Sequence, residues 1–333
     1  AKALGQILGR ASGNFQDRGD AVATVVAVLA EAVAHKRARV AKVAAIALGD
    51  VFRKASGSAH DLGAIAPAAV AALMEALEHA DLEGKGSAAK ALGEIMGKAS
   101  GSLHDQGAAA QAVAALTGAL SKSYVAFHSS QLRDLGSVAW ALGRILGKAP
   151  GNFHGFGGAV AKAVTALIGA LRIGHVHVRR AAATALGEIL GKASGSFHDY
   201  GDVTAEAVAA LAKALSFEYM PGCDAKHVQC DAAKALGGIL GKAPGNFHGL
   251  GGAAATAVAA LTNMLTDKRS RPFVRSCAAT VLGEVLGKAS GHLHGLGGVT
   301  ARAVAALTEA LGDAESDVKE SAAKVLGTIS DKA

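Results

Sequence analysis

The chain has 333 residues, a net charge of +7, 51% hydrophobic residues, 4% aromatics and five prolines. Its mean hydropathy of +0.31 raises the question of a membrane span. The apolar stretches are soon broken by charge, as Ala21 to Ala34 is by Glu31, and none approaches the roughly 20 apolar residues that a spanning helix needs.

Three cysteines, Cys223, Cys230 and Cys277, are too few for a disulfide scaffold and fit a reducing, intracellular compartment. The mildly basic balance permits an acidic partner without demanding one. From its first residues the chain is periodic. The string Ala-Leu-Gly-x-Ile-Leu-Gly-Lys-Ala-Ser/Pro-Gly recurs with anchoring leucines Leu4, Leu48, Leu92, Leu142, Leu186, Leu236, Leu282 and Leu326, spaced by 44, 44, 50, 44, 50, 46 and 44 residues. A basal 44-residue copy predicts a solenoid, which grows by stacking and not by enlarging one core. The opening Ala1-Lys2-Ala3-Leu4-Gly5 lies inside the motif, as expected of a piece of a longer solenoid.

Along the chain, each copy ends its leucine-anchored helix (helix B) at a glycine: Gly13, Gly57, Gly101, Gly151, Gly195, Gly245 or Gly291. These stand where a left-handed residue would close a helix. Phe15, Leu103, Phe153, Phe197, Phe247 and Leu293, two residues on, are expected to plug the end of the core. Insertions of about six residues lengthen the turns near 122–134 and 217–231, and a smaller one lies near 269–273. Insertions map to one edge of a solenoid, often the binding edge.

Helix B is clearest at Val178 to Lys192, where Val178, Ala182, Ala185, Leu186, Ile189 and Leu190 follow the i, i+3, i+4 spacing of one face. A loop follows, Ala-Ser-Gly-Ser-Phe-His-Asp-Tyr-Gly at 193–201, and then helix A at Ala205 to Leu215. Helices this short are marginal alone, so each copy must lean on the next.

The last copy, Leu311-Gly-Asp-Ala-Glu-Ser-Asp-Val-Lys-Glu-Ser-Ala-Ala-Lys-Val-Leu-Gly327, resembles a HEAT repeat of the kind found in phycobilisome-lyase-like proteins. That pattern has a leucine ending helix A, an Asp-containing turn, then Val-Arg-x-x-Ala-Ala-x-x-Leu-Gly. Val178-Arg179 and Val274-Arg275 match it, Lys319 stands in for the arginine, and Val228-Gln229 and Val40-Ala41 match half of it. The resemblance implies an all-α, right-handed α-solenoid of about seven two-helix repeats plus one extra helix, as a single repeat domain over 1–333. The long Phe-His loop departs from the family.

Three rows run through the copies. Arg10, Lys54, Lys98, Lys148, Lys192, Lys242, Lys288 and Lys332 close the B helices, where a cation meets the negative helix end. The alternative role is to recruit an acidic segment or a polyanion. Glu94, Glu188 and Glu284, four residues ahead of a lysine, are placed to pair with it and argue against nucleic acid, which also wants interleaved aromatics. His60, His104, His154, His198, His248 and His294, with Gln16 in the first copy, form a loop row. At about 10 Å between neighbours they cannot share an ion whose ligands stand about 2 Å away. The expectation is that each fixes its own loop.

The third row is glycine, at Gly5/Gly9, Gly93/Gly97, Gly143/Gly147, Gly187/Gly191, Gly237/Gly241 and Gly283/Gly287. A mid-helix glycine costs about 1 kcal/mol relative to Ala, which close approach of B helices would offset. Cys223, His227 and Cys230 form a weak candidate zinc cluster; a fourth ligand could come from Asp224 or Cys277. No nucleophile motif or phosphate loop stands out. The sequence therefore predicts a non-catalytic scaffold, without cofactor, binding other proteins, acidic segments or neighbouring copies at its ends. Polyanion binding along the basic row is one alternative. A tetrapyrrole-handling role, which the family resemblance implies, is another, and no pocket residue can be named for it.

Overall fold

The structure is a computed structural model that describes residues 19–35, 37–54, 66–79, 82–98, 107–122, 132–149, 153, 156, 158–173, 175–192, 197–216, 225–242, 250, 252–288 and 298–330. These form fourteen helices and no strand among the described residues. In chain order they are α1 (Gly19–Val33), α2 (Ala38–Lys54), α3 (Ala66–His79), α4 (Leu82–Lys98), α5 (Ala108–Lys122), α6 (Leu132–Lys148), α7 (Ala159–Ile173), α8 (Val176–Leu190), α9 (Phe197–Leu215), α10 (Ala225–Leu240), α11 (Gly252–Thr266), α12 (Pro272–Lys288), α13 (Gly298–Ala310) and α14 (Ser316–Ser330). Odd-numbered helices are the A helices and even-numbered ones the B helices. The extra helix expected around Leu4 lies outside the described residues.

The helices gather into two compact units, divided between Ala166 and Leu167. In the first, B helices stack as α2–α4–α6 and A helices as α1–α3–α5; in the second, α8–α10–α12–α14 stack beside α9–α11–α13. Each unit thus has two helical layers with a leucine-rich seam between them. Leu48, Leu92, Leu142, Leu186, Leu236 and Leu282 from the B layer are fully buried, as are Leu73, Leu116, Leu211, Leu261 and Leu307 from the A layer. Each such burial contributes roughly 1.5–3 kcal/mol.

The B-helix glycines are where neighbouring copies touch. Within each unit, the glycine after an anchoring leucine faces the residue before the anchor on the next B helix. A Cβ at Gly49 would stand 3.2 Å from the Ala91 Cα, at Gly93 3.1 Å from the Ala141 Cα, and at Gly187 2.8 Å from the Ala235 Cα. At Gly237 it would meet Val281 at 3.0 Å, and at Gly283 it would strike Val325. Four residues further on, Gly97 faces Arg144, Gly191 faces the Gly238 backbone and Gly287 faces Thr328. Close approach thus offsets the poor helix propensity of these positions.

The Val-Arg motif ties α8 and α12 to the chain just before them. Arg179 donates to the Arg172 carbonyl at 3.3 Å and Arg275 to the Ser270 carbonyl at 2.8 Å. Gln229, which matches half of the motif, donates to the Leu215 carbonyl at 3.1 Å and so performs the same function. Arg275 also reaches the next copy, donating to Asp313 at 2.8 Å, while Lys268 donates to the other carboxylate oxygen at 2.9 Å and the Glu315 amide donates at 3.1 Å.

Two details differ from the sequence pattern. The loop expected at 193–201 is helical from Phe197, where α9 begins. That copy carries one glycine after its phenylalanine, whereas those at 153 and 247 carry three, each of which disfavours helix by about 1 kcal/mol. Phe153 fills the core as expected, 1% exposed and edge-on to Phe156 at 6.3 Å. It does so with a left-handed φ of 43°, a conformation costing roughly 1–3 kcal/mol that ring burial offsets.

Two predictions follow from these contacts. Gly187→Ala should lose about 1–3 kcal/mol by overpacking against α10, whereas Gly118→Ala, on α5 with open space around it, should gain up to about 1 kcal/mol; urea midpoints measure both. The Asp313 carboxyl is held down at about 2 by the Lys268 hydrogen bond, then by the Glu315 amide and Arg275, from an ordinary 3.8. Because the folded value lies below the unfolded one, this stabilisation is complete above about pH 4 and is lost as pH falls towards 2. Asp313→Asn should cost about 3 kcal/mol at pH 7 by stranding buried Arg275 and should flatten that acid limb, as read by urea titrations at both pH values.

Candidate protein-binding surface on the B helices

The B layer carries one break in repeat symmetry that is neither an insertion nor a loop. Two residues before the anchoring leucine the copies read Ile46, Lys90, Trp140, Thr184, Lys234, Thr280 and Lys324. Trp140 is the chain's single tryptophan and stands half-buried on α6. Its ring lies down over α4: a Cβ added at Gly93 would meet its Cζ3 atom at 2.8 Å. One turn on, the Arg144 Nε would stand 3.3 Å from a Cβ at Gly97. The same two glycines that bring α4 and α6 together therefore form a shallow bed for an indole and a guanidinium.

The two side chains also hold each other. The Arg144 Cζ lies 5.6 Å from the Trp140 ring centroid, within cation–π range. Its Nη2 stands 3.9 Å from the Glu94 carboxylate on α4. Glu94 in turn acts on Arg53 at the end of α2, whose guanidinium pairs with Asp50 at 2.7 Å and is pushed upward, chiefly by that Asp50 hydrogen bond and charge and to a lesser degree by Glu94. Alternating charges thus step across three B helices of the first unit. With a 30% exposed Arg144 side chain and a 13% exposed Glu94, this pair is partly desolvated and orders Trp140.

Lys148 lies one turn beyond Arg144 on the same stripe of α6, exposed. Trp140, Arg144 and Lys148, spaced i, i+4, i+8, thus line up an aromatic plate and two cations. The basic row is described at Lys148, Lys192 and Lys242, all three exposed at the ends of their B helices. Arg10 and Lys332 lie outside the described residues, as do the side chains of Lys54, Lys98 and Lys288. Of the glutamates expected to pair within their own helix, Glu94 meets Arg144 on the next one, and the Glu284 carboxylate lies over Gly237 on the preceding one.

His198 falls in the first turn of α9, its side chain outside the described residues, and His60, His104, His154, His248 and His294 lie outside them entirely. Cys223 does too. His227 packs edge-on against the 53% exposed Phe273, 6.5 Å between centroids. Cys230 is buried, and the Cys277 Sγ donates to its carbonyl oxygen at 3.8 Å. Among the described residues no three His, Cys, Asp or Glu side chains are disposed to hold a metal ion, and no helix is long and apolar enough to cross a membrane. An open groove of about 550 Å³ lies between α12 and α14, lined by Ser276, Thr280, Glu284, Glu320 and Lys324 among others.

No family model and no curated protein matches the chain. Among solved structures it is similar to importin beta, crystallised in an ammonium sulfate condition, with a TM-score of 0.59 and 15% identity over 92% of this chain and 40% of that one. It is also similar to a designed armadillo repeat protein (TM-score 0.43, 15% identity, 91% of this chain and 99% of that one). A third similar structure belongs to computationally designed armadillo repeat proteins for modular peptide recognition (0.39, 14%, 91% and 99%). The chain is an all-α repeat solenoid of the HEAT/armadillo kind.

If the glycine bed and Arg144 jointly hold the indole, Arg144→Ala should free it. Acrylamide quenching of the single tryptophan should then rise, while the melting temperature moves by little, since such part-exposed pairs contribute about 1 kcal/mol or less.

Proposed function

We propose that this protein is a non-catalytic protein-binding scaffold and that the α4–α6 part of its B-helix surface engages an acidic segment of the partner carrying an apolar anchor. The supporting observation is the laid-down Trp140–Arg144 pair on Gly93 and Gly97, continued by exposed Lys148. Tryptophan and arginine dominate the energetics of protein interfaces because they combine large contact area with directional polar groups. Here their rotamers are restrained before any partner arrives, which lowers the ordering cost of association. A repeat stack suits this task because it offers extended surface without a single cleft. The anchor of the partner covers the indole, and its carboxylates meet Arg144 and Lys148.

Capture from a native lysate by the wild-type chain and by Trp140→Ala, followed by mass spectrometry and titration of the captured protein, tests this. Loss of that one side chain should weaken binding by at least about tenfold without changing the melting profile. Binding by the wild-type chain should blue-shift the emission of its single tryptophan and should weaken as salt rises. Equal affinity of Trp140→Ala and Arg144→Ala variants for every captured protein would refute the proposal.

A further inference from the structure

Successive B helices meet at a second recurring point. The residue six before the anchoring leucine on one helix faces the residue five before it on the next. Between α8 and α10 this slot holds Arg180 and Asp231, paired at 2.8 Å. Between α12 and α14 it holds Ser276 and Ser321, hydroxyl to hydroxyl at 2.8 Å. Between α10 and α12 the same register places Cys230 against Cys277, and the Cys277 Sγ lies 3.8 Å from the Cys230 carbonyl oxygen. The flanking interfaces show that this slot brings side-chain ends into direct contact.

We propose that Cys230 and Cys277 form a peroxide-responsive dithiol, which a hydroperoxide oxidises to a disulfide joining α10 to α12. The two cysteines are unequal in ways that assign their roles. Cys277 is half-buried and within reach of a small oxidant, whereas Cys230 is 2% exposed. The Cys277 thiol is lowered from its ordinary value, chiefly by the neighbouring Cys230 side chain and then by the charge of Lys234, against burial and the charges of Asp231 and Glu284. The neighbouring Cys277 side chain, then burial and the Cys277 charge, push the Cys230 thiol strongly up.

Cys277 is therefore the attacking thiolate and Cys230 the resolving thiol, the arrangement of redox-sensing cysteines. The Cys277 sulfur attacks one peroxide oxygen, the O–O bond breaks, and hydroxide leaves to become water, giving a sulfenic acid. That step removes the negative charge which had held the proton on Cys230. The Cys230 sulfur then attacks the Cys277 sulfur, the S–O bond breaks, and the departing hydroxide takes up the proton Cys230 releases. Two thiols and one hydrogen peroxide become one disulfide and two waters.

The test uses the full chain as Cys223→Ser, exposed to stoichiometric hydrogen peroxide and mapped without reduction. The expected product is a peptide pair linked through Cys230 and Cys277, with the intact protein lighter by two hydrogens. Cys230→Ser in that background should abolish the link and raise dimedone trapping of Cys277 sulfenic acid by about tenfold; Cys277→Ser should leave Cys230 a thiol. Both variants install the hydroxyl that the Ser276–Ser321 slot already carries, so the fold accommodates them. Retention of both thiols, or oxygen added at Cys277 without the link, would overturn the assignment.

Discussion

A missing Cβ sets the geometry of this protein. At the residue after five of the anchoring leucines, glycine lets the next B helix bring an alanine or valine against bare backbone, at distances that crowd or clash with an added Cβ. Everything else on the B layer inherits that spacing. It fixes the register of one helix on the next, so the slot six and five residues before the anchors recurs from copy to copy. It also leaves side chains one turn further along with nowhere to go but flat. Arg144 and Trp140 are shaped by their glycine neighbours on α4 as much as by their own backbone.

Charge is used in two ways in this scaffold, and burial tells them apart. Arg275 and Asp313 are almost wholly enclosed, 5% and 3% exposed, and their hydrogen bonds are spent on two turns and the junction between two copies. A carboxylate so satisfied is an internal strut. The Arg144–Glu94 pair is longer, partly exposed and stacked on an aromatic ring, so it still has faces to offer a partner. Arg275 belongs to the first kind; the symmetry-breaking residues of α6 belong to the second.

Much of the fold was legible in the sequence because repetition amplifies weak signals. One amphipathic 15-residue pattern is ambiguous, but eight anchoring leucines at near-constant spacing are not. The glycine rows could be read as close contacts because their cost, repeated copy after copy, demanded a return. The candidate surface was less legible because a row of like residues hides the one that departs from it. Trp140 was visible as an outlier among Lys90, Thr184, Lys234 and Thr280, yet its orientation depends on glycines 43 and 47 residues upstream. Cys230 and Cys277 likewise become partners only through the stacking register. The start of α9 at Phe197 depended on a local count of glycines within a loop that looked uniform.

The glycine contacts are strictly nearest-neighbour, and this has a genealogical consequence. Unequal recombination that deletes or duplicates a whole 44-residue cassette rejoins an intact contact on either side, so copy number is free to drift. An exchange out of phase by even one residue would press a side chain into backbone. Lineages of this architecture should accordingly differ by entire cassettes, with smaller length changes confined to the turns.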